Sequence, residues 1–222
     1  MKKQLDIVCL PQLDALDLCD AGQFLEAHSV ANGIDCLNWE KEYPAKPKVK
    51  FFIAHTNKNL FVKFVAEEHY LVAEVDKNLG PVANDSCVEF FVKNYESKEY
   101  FNFEFNCIGR INASHRETRN NPTRLTSEEL AQIGVYSSCG TEPFAEKKGN
   151  FRWGLTVAIP FSLIDFKIKG DGDFLLGNFY KCAGKSSQPH YLSWSPIVSE
   201  KPNFHLPDFF GKLNIKQFLG CV

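Results

Sequence analysis

The stretch DSCVEFFVKNYESKEYFNFEFN, Asp85 to Asn106, alternates apolar and polar side chains with a period of two. That period belongs to strands and not to helices. Successive side chains on a strand point to opposite faces, so Val88, Phe90 and Val92 share one face, and Phe101, Phe103 and Phe105 another. Joined through the turn KNYESKE, the two sets form one core face, because the buried pattern sets the register. The opposite face then carries Glu89 and Phe91 from the first strand, and Tyr100, Asn102, Glu104 and Asn106 from the second. In that register Glu89 lies across from Asn102 or Glu104. Carboxylates directly opposite one another destabilise a strand pair by roughly a few tenths of a kcal/mol or more. Either Glu89 meets Asn102, or something neutralises the acids: Lys181, Arg110, a cation, or a ligand offering hydroxyl groups.

The same period recurs along the chain. KVKFFIAHTNKNLFVKFVAEE (Lys48 to Glu68) reads as a hairpin turning at TNKN, and YLVAEV (Tyr70 to Val75) as a separate short strand. NLGPVAND is a Gly-Pro loop. The polar, basic stretch SHRETRNNPTRLTSEELA after Arg110 reads as a long loop, with a capping box from Thr126 to Glu129 opening a short helix. Phe151 to Pro160 and Asp173 to Cys182 are further strands, and a proline- and aromatic-rich segment leads to a final strand. Trp153 alternates with Phe151 and Leu155 and is expected in the core. Many short strands with little helix imply sheet packed on sheet, here an all-β antiparallel sandwich with one or two short helices. The 222 residues suit one domain of this kind, 1–222, with 1–38 as an N-terminal extension whose only local feature is a helical turn near AGQFLEAHSV.

The bulk properties exclude several classes. The net charge of −2 gives no electrostatic footprint for nucleic acid. No apolar run approaches the roughly 20 residues of a membrane-spanning helix. The N-terminus places acids at Asp6, Asp14, Asp17 and Asp20 where a signal peptide is apolar, so a cytoplasmic location is expected, or a periplasmic or exported one if a leader was removed. Eight scattered cysteines (Cys9, Cys19, Cys36, Cys87, Cys107, Cys139, Cys182, Cys221) contain no CxxC pair, which argues against zinc ribbons and redox motifs.

Amides and carboxylates beside aromatic rings suit a polyhydroxylated ligand. Planar acceptors and donors take paired hydroxyls, and an aromatic face takes the C–H side of a sugar ring. NDSCVEFFV, YFNFEFNCIG, LLGNFYKCAG, PHYLSWSPI and NFHLPDFFGKL, in that order, resemble the carbohydrate-binding family 9-like proteins, from about Trp39 to the C-terminus. The resemblance is closest to the stand-alone bacterial subgroup. In the modules appended to xylan-degrading enzymes mainly the DS-VE and FG-L strands correspond. It implies a sandwich related to the DOMON group and binding of a mono- or oligosaccharide rather than cleavage, with structural calcium in many members. The motif glutamate falls on Glu89, the polar strand positions on Asn102 and Glu104, and the late aromatic loop on Trp194, Phe204 and His205. Where the appended modules carry an aromatic ahead of DS-VE to clamp the sugar, this chain has Pro81, Val82, Ala83 and Asn84. A replacement ring would come from Trp39, Tyr43 or Tyr180.

Tyr180, Lys181 and the loop residue His190 complete the candidate ligand set, with Trp194 open between core residue and stacking platform. Calcium, if bound, would draw on Asp76, Asn78 and Asp85 around one loop. Two other classes remain open. Glu89 and Glu104 form a carboxylate pair of the kind glycosidases use, and exposed aromatic loops suit a protein-interaction module.

Overall fold

A computed structural model describes residues 2–170 and 172–217. Cys221 lies outside the described residues. In chain order the elements are β1 (Gln4–Cys9), α1 (Leu18–His28), β2 (Asn32–Gly33), β3 (Lys48–His55), β4 (Asn59–Ala73), β5 (Cys87–Asn94), β6 (Tyr100–Asn106), β7 (Ile111–Arg116), β8 (Thr123–Arg124), α2 (Ser127–Leu130), β9 (Gly134–Ser137), β10 (Phe144–Pro160), β11 (Phe174–Cys182), β12 (Tyr191–Ser193) and β13 (Gly211–Ile215).

Hydrogen bonding runs in one path, β8-β7-β6-β5-β11-β13-β1-β3-β4-β10-β9, with β12 on β11 and β2 on β3. The path curls into two layers at β1. Gln4 to Ile7 pair with β13, whereas Val8 and Cys9 pair with β3. Both pairings are parallel, so the sheet is mixed and not purely antiparallel as the alternation implied. Period-two patterning reports which face is buried and is silent on strand direction. The N-terminal segment therefore belongs to the sandwich itself.

The β3–β4 hairpin turns through Asn57, whose φ of 68° an asparagine tolerates. β4 continues to Ala73, absorbing the short strand expected at Tyr70–Val75. β7 likewise takes in Ser114 to Arg116, which the sequence reading gave to a loop. The capping box forms as expected: the Thr126 hydroxyl accepts from Glu129 N and the Glu129 carboxylate accepts from Thr126 N.

The layers meet through inward-facing side chains, among them Val88, Phe90, Phe103 and Phe105, which the alternation assigned to one core face. Phe51 of β3 stacks on Phe179 of β11 at 3.7 Å, and Phe90 stacks on the other side of Phe179 at 4.6 Å. Val88, Phe103, Phe105 and Trp153 are buried in the same cluster. Fully burying one such side chain contributes about 1.5–3 kcal/mol. The outer face of each layer is also covered. α1, capped by Asp17, which accepts from Asp20 N at 2.9 Å, lays Ala21 and Leu25 against Phe52, Phe61 and Val65. On the other layer, Trp39, Val82, Ile197, Phe204 and Phe210 cover Phe91, Tyr100 and Tyr180. That covered face carries the polar residues singled out above.

Candidate functional site

β5 and β6 pair so that Glu89 stands directly opposite Glu104 and Phe91 opposite Asn102. β7 adds Asn112 beside Glu104 and Ser114 beside Asn102, and β11 sets Tyr180 beside Glu89. Two rows thus cross the outer face: Tyr180, Glu89, Glu104, Asn112, and next to it Phe91, Asn102, Ser114. The less favourable register of the two considered, acid facing acid, is the one adopted.

Hydrogen bonds supply its compensation. Asn102 Nδ2 donates to Glu104 Oε1 at 2.9 Å, and Asn112 Nδ2 donates to Glu104 Oε2 at 2.9 Å. The Ser114 hydroxyl donates to Asn102 Oδ1 at 2.8 Å, and Arg116 Nη2 donates to the Ser114 oxygen. A guanidinium is thereby linked through a hydroxyl and an amide to one carboxylate. Glu89 is met by thiols: Cys182 Sγ lies 3.1 Å and Cys87 Sγ 4.0 Å from its Oε1. Burial raises the Glu89 carboxyl well above the usual range, with Cys182 and Glu104 adding to the effect. Burial raises Glu104 as well, against the opposing pull of Asn112, Arg116 and Asn102.

The roof over these rows is the segment 195–210. Asn178 holds its start, donating to Ser195 O at 3.0 Å and accepting from Ser195 N at 2.8 Å. Phe204 stacks on Tyr180 at 4.2 Å, and the Tyr180 hydroxyl donates to Phe204 O at 3.2 Å. His205 lies over Phe91 at 4.9 Å, with its Nδ1 3.0 Å from the Tyr100 hydroxyl. Burial, with Arg116 and Arg119 nearby, pushes the His205 imidazole down to about 3, so it is neutral at neutral pH. The tyrosine hydroxyls shift the other way, Tyr100 to about 12, again through burial. Beneath this roof Glu89 is 3% exposed, Asn102 0% and Glu104 7%.

Sequence reasoning thus brought Glu89, Asn102, Glu104, Tyr180, Phe204 and His205 to one place. Three other candidates lie elsewhere. Trp194 sits between the layers, edge-on to Phe179 and Phe51, and is core rather than platform. Lys181 points inward, opposite Tyr180 on the same strand. Its Nζ lies 3.0 Å from Glu68 Oε2 and donates to Cys182 O at 2.9 Å, so it neutralises Glu68 and not the outer acids. His190 adjoins that inner pair, with Nε2 3.8 Å from Glu68 Oε2. The side chain of Arg110 donates to Thr141 O. The residues missed were Asn112, Ser114, Arg116 and Asn178. The alternation of Asn112, Ser114 and Arg116 with Ile111 and Ala113 was the signal for the first three.

The calcium set does not converge either. The Asp85 carboxylate accepts from Glu74 N, Val75 N and Asn106 Nδ2, and Asn78 Oδ1 accepts from Ile111 N. Those oxygens hold their own loop, while Asp76 is exposed. Among the described residues the group able to hold a metal ion is Cys87, Glu89 and Cys182, whose ligand atoms lie within 4.8 Å of one another. No described helix is long and apolar enough to cross a membrane.

Of the rings named as replacements for the missing clamp wall, Tyr180 lies on the sheet under Phe204, while Trp39 and Tyr43 pack around the roof. Trp39 lies tilted against Phe204 at 6.0 Å and donates to Ser199 O at 2.9 Å, and Tyr43 meets Tyr191 edge-on at 4.8 Å.

Comparison with known proteins places this arrangement. A crystal structure from Bacteroides uniformis, of a protein provisionally described as carbohydrate-binding, superposes with a TM-score of 0.91 at 35% identity, over 97% of this chain and all of the other. A family 9 carbohydrate-binding module from Caldicellulosiruptor kristjanssonii, solved with glucose, gives 0.60 at 13% identity over 99% of both chains. A module of the same family and organism, solved with cellotriose, gives 0.56 at 11% identity over 99% and 98%. No curated protein matches. The family model described as carbohydrate-binding family 9 matches residues 22–215, which include both layers and the roof. The chain belongs to carbohydrate-binding family 9.

Proposed function

We propose that the protein binds a mono- or oligosaccharide without cleaving it, on the outer face of the β5–β6–β7 sheet. The observation that carries this reading is the facing pair Glu89 and Glu104 with amides bonded to both oxygens of Glu104. Together they form a set of acceptors and donors beside the aromatic residues Tyr180 and Phe91, which meet edge-on at 4.9 Å. A sugar hydroxyl both donates and accepts, so it can exchange with any link in this set. The arrangement is less suited to hydrolysis. A catalytic carboxylic acid needs a proton path to a leaving oxygen and a place for water. Here both oxygens of Glu104 are tied to amides and Glu89 faces two thiols.

Glu89, Asn102 and Glu104 lie beneath Phe204 and His205, so binding requires the 195–210 roof to lift. The ligand then binds a minor, opened form, and its apparent affinity is reduced by that form's population. A thermal-shift screen against a glycan panel that includes glucose and cellotriose tests the reading. A binder of the native state raises the melting temperature with no product released. If no glycan in the panel moves it, the proposal fails.

A further inference from the structure

We propose that the open end of the sandwich holds a second site for a neutral polyhydroxylated ligand, on the opposite side of β11 from the roofed face. It takes its ligand class from the saccharide reading above, but its location is independent of it. The place is a cavity of about 430 Å³ between β4, the start of β10 and the 186–190 segment. That volume falls within the ~300–1,000 Å³ of small-ligand sites.

Its floor is unusual for the end of an apolar core. Glu68 continues the inward series Val62, Phe64, Ala66 and is 6% exposed, and His190 is 4% exposed. Trp153 Nε1 donates to Glu68 Oε1 at 2.6 Å, and Lys181 neutralises the carboxylate from behind. His190 Nδ1 lies 2.9 Å from Gln188 O. A carbonyl only accepts, so Nδ1 carries the hydrogen and Nε2 presents a lone pair. Burial and the Lys181 charge push this imidazole down to about 3, so it stays neutral. Among the described residues Nε2 finds no hydrogen-bond donor, and Glu68 Oε2 has the Lys181 ion pair but no hydrogen bond.

These two atoms lie 3.8 Å apart, enclosed just beneath the lining that Glu68 and His190 give the cavity, and Glu68 Oε2 is already met by Lys181 Nζ at 3.0 Å. A buried acceptor left without a donor keeps its full desolvation penalty. A ligand group that reaches His190 Nε2 must donate a hydrogen. Two features choose among donors. Lys46, Lys48 and Arg152 line the mouth and Lys181 lies behind the floor, against Glu67 and Glu68, which disfavours a cation. Tyr70 and Phe151 line the walls, with Gln188 and Asn150 between them. Aromatic faces with amides and paired acceptors match a sugar ring: hydroxyls donate to His190 and Glu68, while C–H groups lie on a ring.

The test is amide and imidazole NMR of the whole protein titrated with glucose, cellotriose and glucosamine, for the wild type, His190→Leu and Asn102→Ala. His190→Leu removes the acceptor at similar volume and leaves the Lys181–Glu68 pair intact. The proposal expects a neutral sugar to shift His190, Gln188 and Tyr70, with at least about tenfold weaker binding there in His190→Leu and the same shifts kept in Asn102→Ala. Shifts confined to Asn102, Glu104 and His205 overturn the second site and leave the roofed site standing. Shifts confined to the cavity uphold the second site and overturn the roofed one. Stronger binding of cationic glucosamine than of glucose at His190 overturns the neutral-ligand assignment, and no shift with any probe overturns both sites.

Discussion

Gly211 lies beneath the indole of Trp194, so closely that a Cβ at position 211 would fall 2.4 Å from Trp194 Cζ3 and 2.6 Å from Lys3 O. The glycine of the FG-L stretch is thus required by a ring on one side and the backbone next to β1 on the other. Gly211→Ala is expected to destabilise the protein by at least the ~1–3 kcal/mol of an overpacked core, read as a lower denaturant midpoint with an unchanged slope. A neutral result would mean that Trp194 is free to move away.

Asn102 joins Ser114 to Glu104 and lies at the centre of the proposed saccharide site. Asn102→Ala is expected to weaken binding of the best glycan from the panel about tenfold or more, measured by calorimetric titration. It should also cost about 1–3 kcal/mol of stability, because Ser114 and Glu104 each lose a partner. Unchanged affinity would remove Asn102 from the site.

Glu89 holds its proton more tightly in the folded chain than in the unfolded one, where the carboxyl titrates near 4.5. Its contribution to stability is therefore complete below about 4.5 and is lost as pH rises through the higher folded value. Glu89→Gln cannot titrate. The melting temperature of the variant minus that of the wild type should climb as pH rises above about 4.5. His190 and His205, both pushed down to about 3, act in the opposite sense, losing stability as pH falls from about 6.5. They are present in both proteins and cancel in the difference. A flat difference would place Glu89 in water or beside a cation.

Lys181 and Glu68 form an ion pair that is 0% and 3% exposed at the side chain. Lys181→Met leaves the carboxylate buried without its cation and is expected to cost about 3–5 kcal/mol, with Lys181→Met/Glu68→Gln recovering much of it. Chemical denaturation of the single and double variants gives the coupling directly. Equal losses in both would show that the pair is not the source.

Phe204 closes the roof by stacking on Tyr180. Phe204→Ala should lower stability by up to about 3–5 kcal/mol and speed association of a saccharide in stopped-flow mixing, since the opened form becomes more populated. Slower or unchanged association would mean that the roof is not the barrier.

The strands were legible wherever one face is apolar, as at Val88–Phe90–Val92 and Phe101–Phe103–Phe105. The grouping of Glu89, Asn102 and Glu104 followed from the same parity. Strand direction was not legible, because a period of two is identical in parallel and antiparallel pairs, and β1 was missed because its alternation lasts only from Gln4 to Ile7 before the apolar pair Val8 and Cys9. Lys181 misled because a lysine at an inward position is expected only where an acid waits inside, and Glu68 lies more than a hundred residues away in the chain. Trp194 was ambiguous because three residues of β12 are too few to show which side of the sheet the next ring enters.

β1 hydrogen-bonds to β13 through Gln4 to Ile7 and to β3 through Val8 and Cys9. One six-residue ribbon therefore acts as the latch between the two layers, and it joins Gln4 to Lys212, nearly the full length of the chain apart. Contacts of such long range close late in folding, so until then β3, paired with β4, and β13, paired with β11, each keep one edge open. Trimming the first nine residues would bare two sheet edges at once, each a template for pairing with another chain. The expected outcome is self-association through those edges before the outer-face residues Glu89, Asn102 and Glu104 lose their arrangement.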